Sequence, residues 1–143
     1  MKLYIGCDHA GFELKEKLKI YLLQKSYDVS DCGCYSAERA DYPDYGHKVA
    51  ESVLADKDSL GIIICGSGNG INITANKHHG IRSAVCWLPE IASLARQHNN
   101  ANIMALPARF ISYEIAIQCA DAFLFHTFEG GRHQDRVTKI ENC

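Results

Sequence analysis

The residues best suited to chemistry lie in one short stretch, Leu60–Gly70, which reads LGIIICGSGNG. Its apolar run ends at Cys65 and predicts a strand that is buried on both faces. The alternating glycines Gly66, Gly68 and Gly70 let the backbone turn tightly and bring N–H groups close to an anion or a developing oxyanion. Such N–H groups favour the thiolate form of a neighbouring cysteine. We therefore predict that Cys65 is a base or nucleophile, with a small buried apolar residue as the alternative.

Polar side chains also follow two other predicted strands. Asp8 and His9 come directly after the first strand, and Arg109 follows the last one. Because the carboxyl ends of parallel strands meet at one edge of a sheet, we expect these three residues to lie beside Cys65 and Ser67.

Two further pairs of candidate residues do not fit this edge. His98 and Asn99 end a predicted helix, so they fall at the opposite edge and reach the site only by a folded-back connection or in a partner subunit. Arg132 and Arg136 are four residues apart and share one face of a predicted helical turn, which suits a phosphate dianion or simply a solvated surface. Since the polar tail 129–143 cannot easily fold back over its own sheet, we expect this arginine pair to reach a neighbouring subunit.

The elements that position these residues alternate strictly between strand and helix. We predict one α/β domain over residues 1–143, a Rossmann-like three-layer αβα sandwich with a five-stranded parallel sheet. The long polar loop Cys32–Tyr45 is expected to be functional. The predicted strands are Leu3–Cys7, Asp28–Asp31, Ile62–Cys65, Ile81–Cys86 and Ala101–Leu106, and the helices are Phe12–Lys25, Asp44–Ala55, a short one from Ile71, Pro89–Gln97 and one capped by Ser112.

The first helix is predicted to be amphipathic. Leu18 and Leu22 fall on its apolar face, whereas Lys15 and Lys19 are expected to face solvent. Glu13 can pair with Lys17 one turn later.

Composition excludes several classes of protein. A net charge of −2 over 143 residues gives no general attraction to nucleic acid or to an anionic membrane. No run approaches the roughly 18 apolar residues of a membrane span, and the N-terminus lacks a signal-peptide pattern. The seven cysteines are odd in number and scattered, which favours reduced thiols and a cytoplasmic location. Among them Cys7, Cys86 and Cys119 are expected in the core, and Cys32-Gly33-Cys34 matches no common zinc pattern.

A nucleotide cofactor is disfavoured despite the glycines. The GxGxG spacing follows the third predicted strand rather than the first and lacks the third glycine of GxGxxG. A dinucleotide site also needs an acidic residue about 20 positions later, where this chain has Ala84–Pro89. We therefore expect no cofactor and no metal.

Six separate blocks of this sequence together resemble the ribose-5-phosphate isomerase type B family, which also holds the galactose-6-phosphate isomerase subunits. Their order along nearly the whole chain is more specific than any single motif. The blocks are GCDHAGFELK at Gly6–Lys15, DYPDY at Asp41–Tyr45, IICGSGNGI at Ile63–Ile71, ANKHHGIRSAVC at Ala75–Cys86, RQHNNANIMAL at Arg96–Leu106 and EGGRHQDRV at Glu129–Val137.

The resemblance implies a metal-free interconversion of ribose 5-phosphate and ribulose 5-phosphate, in the non-oxidative branch of the pentose phosphate pathway. It implies that Cys65 moves a proton between C1 and C2 and that His98, with Asp8, opens the furanose ring by protonating the ring oxygen. Ser67 would assist proton movement between the oxygens. The enediolate would be held by the backbone N–H groups of Gly66, Ser67, Gly68, Asn69 and Gly70.

The resemblance also implies how the rest of the substrate is held, in a homodimer or a tetramer with shared sites. Asn99 would bind a sugar hydroxyl and Tyr42 would line the sugar pocket. The phosphate would be bound by His9 and Arg109 and by the partner's Arg132 and Arg136, and His98 would likewise enter the other subunit's site. The chain departs from the family where Pro107 stands in a segment that is usually glycine-containing, which puts the placement of Arg109 in question.

Three other functions compete with this hypothesis. A neighbouring one is isomerisation of a six-carbon sugar phosphate, such as allose 6-phosphate or galactose 6-phosphate. From another class comes a non-catalytic phosphate-binding module, in which Cys65 has no turnover to support. A metal-dependent hydrolase is the weakest, since the sequence has no HxxxH motif or carboxylate cluster.

Overall fold

A five-stranded parallel sheet with helices on both faces organises the chain. A computed structural model describes residues 1–142, so Cys143, the last residue of the predicted tail, lies outside the described residues. The strand order is β2-β1-β3-β5-β4, and every pairing is parallel. The elements are β1 Lys2–Cys7, α1 Phe12–Gln24, β2 Asp28–Gly33, α2 Tyr42–Ala55, β3 Leu60–Cys65, α3 Asn69–Ala75, β4 Ser83–Val85, α4 Pro89–Asn99, β5 Ile103–Pro107, α5 Tyr113–Phe125 and α6 Arg132–Glu141. The predicted fold class is confirmed.

The central strand β3 supplies side chains to two separate hydrophobic clusters. Every residue of β3 is buried, as the apolar run predicts. Because successive side chains of a strand point to opposite faces, Ile62 and Ile64 enter one cluster with α1, α4 and α5. Ile63 and Cys65 enter the other cluster, which contains residues of α2 and α3. The side chain of Cys65 therefore lies on the α2–α3 face of the sheet.

Several predicted boundaries are wrong by two or more residues. Strand β2 continues to Gly33 and α2 begins at Tyr42, so the loop between them covers only residues 34–41. Helix α2 begins early because Asp41 is extended and Pro43 occupies the first turn, where its missing N–H costs no hydrogen bond. The predicted helical turn around Arg132 and Arg136 is a ten-residue helix, α6.

The expectation that Lys15 faces solvent is wrong. Its side chain is fully buried, and its ammonium group donates to both carboxylate oxygens of Asp31, at 2.7 and 2.8 Å, and to the carbonyl oxygen of Cys34. Lys19 donates to the same carboxylate at 2.6 Å. Burial opposes the charged form of both partners, yet these bonds raise the pKa of Lys15 and lower that of Asp31. The buried ammonium thus ties α1 to the start of loop 34–41.

Two further expectations are confirmed, the burial of three cysteines and one surface ion pair. Cys7, Cys86 and Cys119 are fully buried in the core, and burial raises the pKa of Cys86 to about 12 and that of Cys119 to about 11. Glu13 and Lys17 form the predicted surface ion pair, at 3.0 Å. In residues 1–142, none of the helices has the length and apolar character needed to cross a lipid bilayer.

Candidate active site

Cys65 lies at the carboxyl end of the central strand, at the bottom of a cleft. It is the last residue of β3, only 4% of it is exposed, and its carbonyl oxygen accepts the backbone N–H of Ala108 at 2.9 Å. The cleft has a volume of about 350 Å³. It is lined by Asp8, Tyr42, Cys65, Gly66, Ser67, Gly70, Arg109 and Phe110.

The glycine turn that follows Cys65 is packed tightly against the end of β5. Gly68 has a φ of 75°, which favours glycine, and a Cβ there would lie 3.2 Å from Val85 and 3.3 Å from the nitrogen of Pro107. The N–H of Asn69 donates to Ser67 Oγ at 3.3 Å. Within residues 1–142 the N–H groups of Ser67 and Gly68 have no hydrogen-bond acceptor. The turn can therefore supply unpaired donors next to the thiol of Cys65.

Tyr42 covers the far side of the turn because position 70 carries no side chain. A Cβ at Gly70 would lie 2.6 Å from Cζ of the Tyr42 ring, well inside van der Waals contact. The ring, 40% exposed, stands at the start of α2 and forms one wall of the cleft. The predicted placement of Tyr42 in the pocket agrees with this geometry.

Asp8 and His9 are fixed in the turn after β1 but point into different surroundings. Asp8 is buried, and its Oδ1 accepts the N–H of Gly11 at 3.0 Å. His9 is exposed, and its Nδ1 lies 2.9 Å from the carbonyl oxygen of Ala40 and 3.3 Å from the Ala40 nitrogen. Loop 34–41 thereby holds the His9 ring, while Asp8 lines the cleft.

Arg109 reaches the cleft in spite of Pro107. The proline is the last residue of β5 and pairs with Cys65, so its lack of an N–H costs little at the strand end. The N–H of Arg109 donates to the carbonyl oxygen of Gly66, and its guanidinium lies over that glycine. Phe110, 76% exposed, lines the same cleft and was not predicted; its position directly after Arg109 is the signal that the sequence offered.

Asn69 faces a neighbouring groove rather than the Cys65 cleft. This groove has a volume of about 340 Å³. Its lining consists of Ser67, Asn69, Val85, Trp87, Pro107 and Phe110. Only the backbone of Asn69 belongs to the turn beside the thiol, so its side chain is not brought together with Cys65 in the single chain.

Four predicted site residues lie away from the cleft. Asn99 lines a cavity of about 380 Å³ at the amino edge of β4, with Ser83 among its neighbours. His98 stacks on His133, with ring centroids 4.1 Å apart. Arg132 and Arg136 are exposed on α6, and in the described part of the chain neither forms a salt bridge. The structure thus confirms the expectation that His98 and Asn99 end a helix at the opposite edge.

The cleft combines the parts that proton transfer next to a carbonyl requires. It offers a thiol as base, unpaired backbone donors for an oxyanion, a carboxylate at Asp8 and a cation at Arg109. In the single chain, His98 at the end of α4 and Arg132 and Arg136 on α6 lie outside this cleft.

Comparison with known proteins places the chain among sugar isomerases. A model of the Ribose/Galactose Isomerase family matches residues 3–140. Ribose-5-phosphate isomerase B of Escherichia coli is 46% identical over 139 residues, which cover 97% of this chain and 93% of that protein. The crystal structure of a ribose 5-phosphate isomerase from Thermotoga maritima is 51% identical with a TM-score of 0.97, and 99% of this chain and 98% of that one are covered.

One related structure contains a sugar phosphate. Ribose-5-phosphate isomerase B from Mycoplasma genitalium, with bound ribulose-5-phosphate, is 42% identical with a TM-score of 0.94, and the match covers 98% of this chain and 93% of that one.

Proposed function

Because the chain belongs to the ribose/galactose isomerase family, we propose that it interconverts D-ribose 5-phosphate and D-ribulose 5-phosphate as an aldose–ketose isomerase. The observation that carries the proposal is the position of Cys65 in the lining of the cleft, directly before a turn whose N–H groups at Ser67 and Gly68 find no acceptor among residues 1–142. The bound ribulose-5-phosphate of the Mycoplasma genitalium relative supports the choice of substrate.

The proposed isomerisation needs one base and one place for negative charge. The thiolate of Cys65 takes the proton from C2 of the open-chain aldehyde, the C2–H electrons form a C1=C2 double bond, and the carbonyl electrons move to O1. The backbone donors of the Gly66–Gly70 turn stabilise the resulting enediolate. Ser67 carries a proton from O2 to O1, and the thiol then returns its proton to C1. No step requires a metal or a cofactor.

The phosphate is proposed to bind between cations from two copies of the chain. Arg109 lies at the cleft, and His9 directly follows Asp8, which lines it. Arg132 and Arg136 of α6 come from a partner subunit, and within residues 1–142 their guanidiniums form no salt bridge. Guanidinium groups bind phosphate oxygens in a bidentate manner. A tethered phosphate lets remote binding energy position the reacting carbons. Asn99, on the same partner, holds a sugar hydroxyl.

Ring opening is proposed to use His98 of the partner together with Asp8. His98 donates a proton to the ring oxygen as the C1–O4 bond breaks, and Asp8 accepts the proton of the C1 hydroxyl. This division explains why His98 is absent from the cleft of its own chain. A homodimer with two shared sites, or a tetramer of such dimers, satisfies the geometry. We place the enzyme in the cytoplasm, since the six described cysteines are all free thiols.

The experiment measures ribose 5-phosphate turnover by the purified chain with EDTA present, alongside allose 6-phosphate and galactose 6-phosphate. The proposal expects the highest kcat/KM for ribose 5-phosphate and no effect of EDTA. A higher kcat/KM for a six-carbon sugar phosphate would transfer the chain to that substrate. Binding of a sugar phosphate without any turnover would instead indicate a binding module.

A further inference from the structure

Three side chains form a cluster where the end of α4 meets the start of α6. His98, Glu129 and His133, which we call the His98 cluster, bring their ligand-type atoms within 4.8 Å of one another. The Nε2 atoms of His98 and His133 lie 3.9 and 3.8 Å from the same carboxylate oxygen of Glu129. The two rings are stacked, with an interplanar angle of 9°.

Backbone contacts hold the cluster together. The N–H of Glu129 donates to the carbonyl oxygen of Gln97 at 3.0 Å, which fastens the segment before α6 to the last turn of α4. His133 stands in the first turn of α6, and its side chain is only 12% exposed, against 36% for His98. His133 is therefore the more enclosed ring, and the ring of His98 is the one left open to an approaching molecule.

The geometry of the stack argues against a shared metal ion. An imidazole binds a metal along the lone pair in its ring plane, at about 2.0 Å. Two rings that are nearly parallel and 4.1 Å apart aim those lone pairs along parallel lines. An ion placed correctly for one ring would lie far out of the plane of the other, so the cluster is better suited to orienting a ring and balancing its charge.

We propose that His133 and Glu129 are positioning residues for His98, the ring-opening acid. His133 holds the imidazole of His98 by stacking, and the carboxylate of Glu129, 3.9 Å from its Nε2, places a negative charge beside the ring. At 3.9 Å the carboxylate is beyond hydrogen-bonding distance, so it acts through charge and leaves the Nε2–H of His98 free to donate. This inference rests on the proposed function.

The surroundings of His133 favour the neutral form of its ring. Partial burial lowers the pKa of His133, and the neighbouring charges of His98, Arg132 and Arg136 lower it further, against the opposing effect of Glu129. A neutral His133 ring can stack on a charged His98 without repulsion.

Substrate chemistry allows ring opening to be separated from isomerisation. Ribulose 5-phosphate is acyclic, because the oxygen that would close a five-membered ring onto its C2 carbonyl carries the phosphate. Exchange of its C1 hydrogen with solvent needs the base and the oxyanion donors but no ring opening. A residue that acts only through His98 should affect turnover of ribose 5-phosphate and leave this exchange intact.

The experiment compares His133→Ala, His133→Phe and Glu129→Gln with a control, Gln134→Ala, at the next position of α6. Each variant is assayed for ribose 5-phosphate turnover and, by NMR in D₂O, for loss of the C1 hydrogen signal of ribulose 5-phosphate. For His133→Ala and Glu129→Gln we expect kcat to fall about 10- to 100-fold, the range that a misplaced catalytic group can cost, with KM and C1 exchange near wild type. His133→Phe, which keeps a flat ring to stack on, should recover part of the loss.

Three results would overturn the inference. An equal loss of turnover and C1 exchange would indicate a general structural role, a rise in KM alone would indicate phosphate binding, and unchanged turnover would exclude any positioning role. Failure of the proposed function itself has a different signature, because the wild-type chain would then show neither turnover nor C1 exchange.

Discussion

The Cys65 cleft and the His98 cluster differ in almost every physical respect. The cleft lies at the end of the central strand, with Cys65 4% exposed and its backbone bonded to the segment after β5. The cluster lies where two outer helices meet, and its Glu129 is half exposed. The proposed base therefore has a rigid, enclosed setting, whereas the proposed acid lies at the surface. A surface acid can serve a second chain, which a buried one cannot.

The largest effect on turnover is expected from removing the proposed base, Cys65. Cys65→Ala should lower kcat for ribose 5-phosphate about 10²- to 10⁴-fold, the range attributed to general acid–base catalysis, and should abolish C1 exchange of ribulose 5-phosphate. Steady-state kinetics and NMR exchange measure the two effects. The control is Cys32→Ala, in the same hydrophobic cluster but away from the cleft. Retained C1 exchange in Cys65→Ala would show that another group is the base.

The rigid setting of the Cys65 cleft depends on Lys15, whose buried ammonium group donates to the carbonyl oxygen of Cys34 at the start of loop 34–41. Lys15→Met leaves the carboxylate of Asp31 with Lys19 as its remaining cation and the N–H of Gly33 as a donor, and breaking a buried ion pair costs about 3–5 kcal/mol of unfolding free energy. Urea denaturation at pH 7 measures this loss. The matched control is Lys17→Met, which removes an exposed pair with Glu13 and should cost at most about 1 kcal/mol. Equal effects of the two variants would contradict the structural role of Lys15.

The same ion pair predicts a dependence on acid pH. The pKa of Asp31 is lowered in the folded chain, so its contribution to stability is present above the ordinary aspartate pKa of about 4 and is lost as the pH falls through the lowered value. In Lys15→Met this carboxylate is less perturbed. The unfolding free energy of the variant should therefore fall less steeply than that of wild type below about pH 4.

The exposed region, where α6 meets α4, is tested with the two arginines of α6. Arg132→Ala combined with Arg136→Ala should raise KM for ribose 5-phosphate about 10- to 100-fold, the scale of lost hydrogen bonds to a charged group, with a smaller change in kcat. Because both side chains are exposed, thermal stability should stay near wild type, in contrast to Lys15→Met. Lys139→Ala, on the same helix, is the control for charge. An unchanged KM would count against phosphate binding by this pair.

A smaller effect on KM is expected from a change at Gly70, which packs against the Tyr42 wall of the cleft. Gly70→Ala places a methyl group against the Tyr42 ring and should raise KM about 5-fold, the scale of one lost contact of about 1 kcal/mol. In a Tyr42→Ala background the same change should have no further effect, because the conflict is gone. Kinetics of the two single variants and the double variant measure the coupling. Additive losses would show that Gly70 and Tyr42 act separately.

The sequence predicts the Cys65 cleft better than it predicts the His98 cluster. The Cys65 cleft follows from contiguous signals, since an apolar strand, a glycine turn and the sheet topology together place Cys65, Ser67 and Arg109 at one edge. The His98 cluster depends on the packing of α6 against α4, and no local pattern reports that distance. The same limit explains Lys15, whose burial results from a carboxylate on a different element, Asp31.

The start of α2 and the position of Phe110 show how far local sequence signals reach. Pro43 marks the start of α2, whereas the acidic residue Asp44 predicts a start two residues later than the structure shows. Phe110 lines the cleft although an exposed aromatic residue has no strong local signal of function. Sequence thus fixes which residue types follow each strand, and tertiary packing decides which of them share a cavity.

The central claim is that each active site combines Cys65 of one chain with His98 of another, and complementation tests it most directly. Cys65→Ala and His98→Ala chains carrying different affinity tags are co-expressed, and the mixed dimer is purified on both tags. Each parent homodimer lacks one essential group in both sites, whereas the mixed dimer has one complete site and one that lacks both groups. Shared sites predict about half of wild-type turnover of ribose 5-phosphate in the mixed dimer. A mixed dimer as inactive as its two parents would place both groups in the same chain's site and contradict the account.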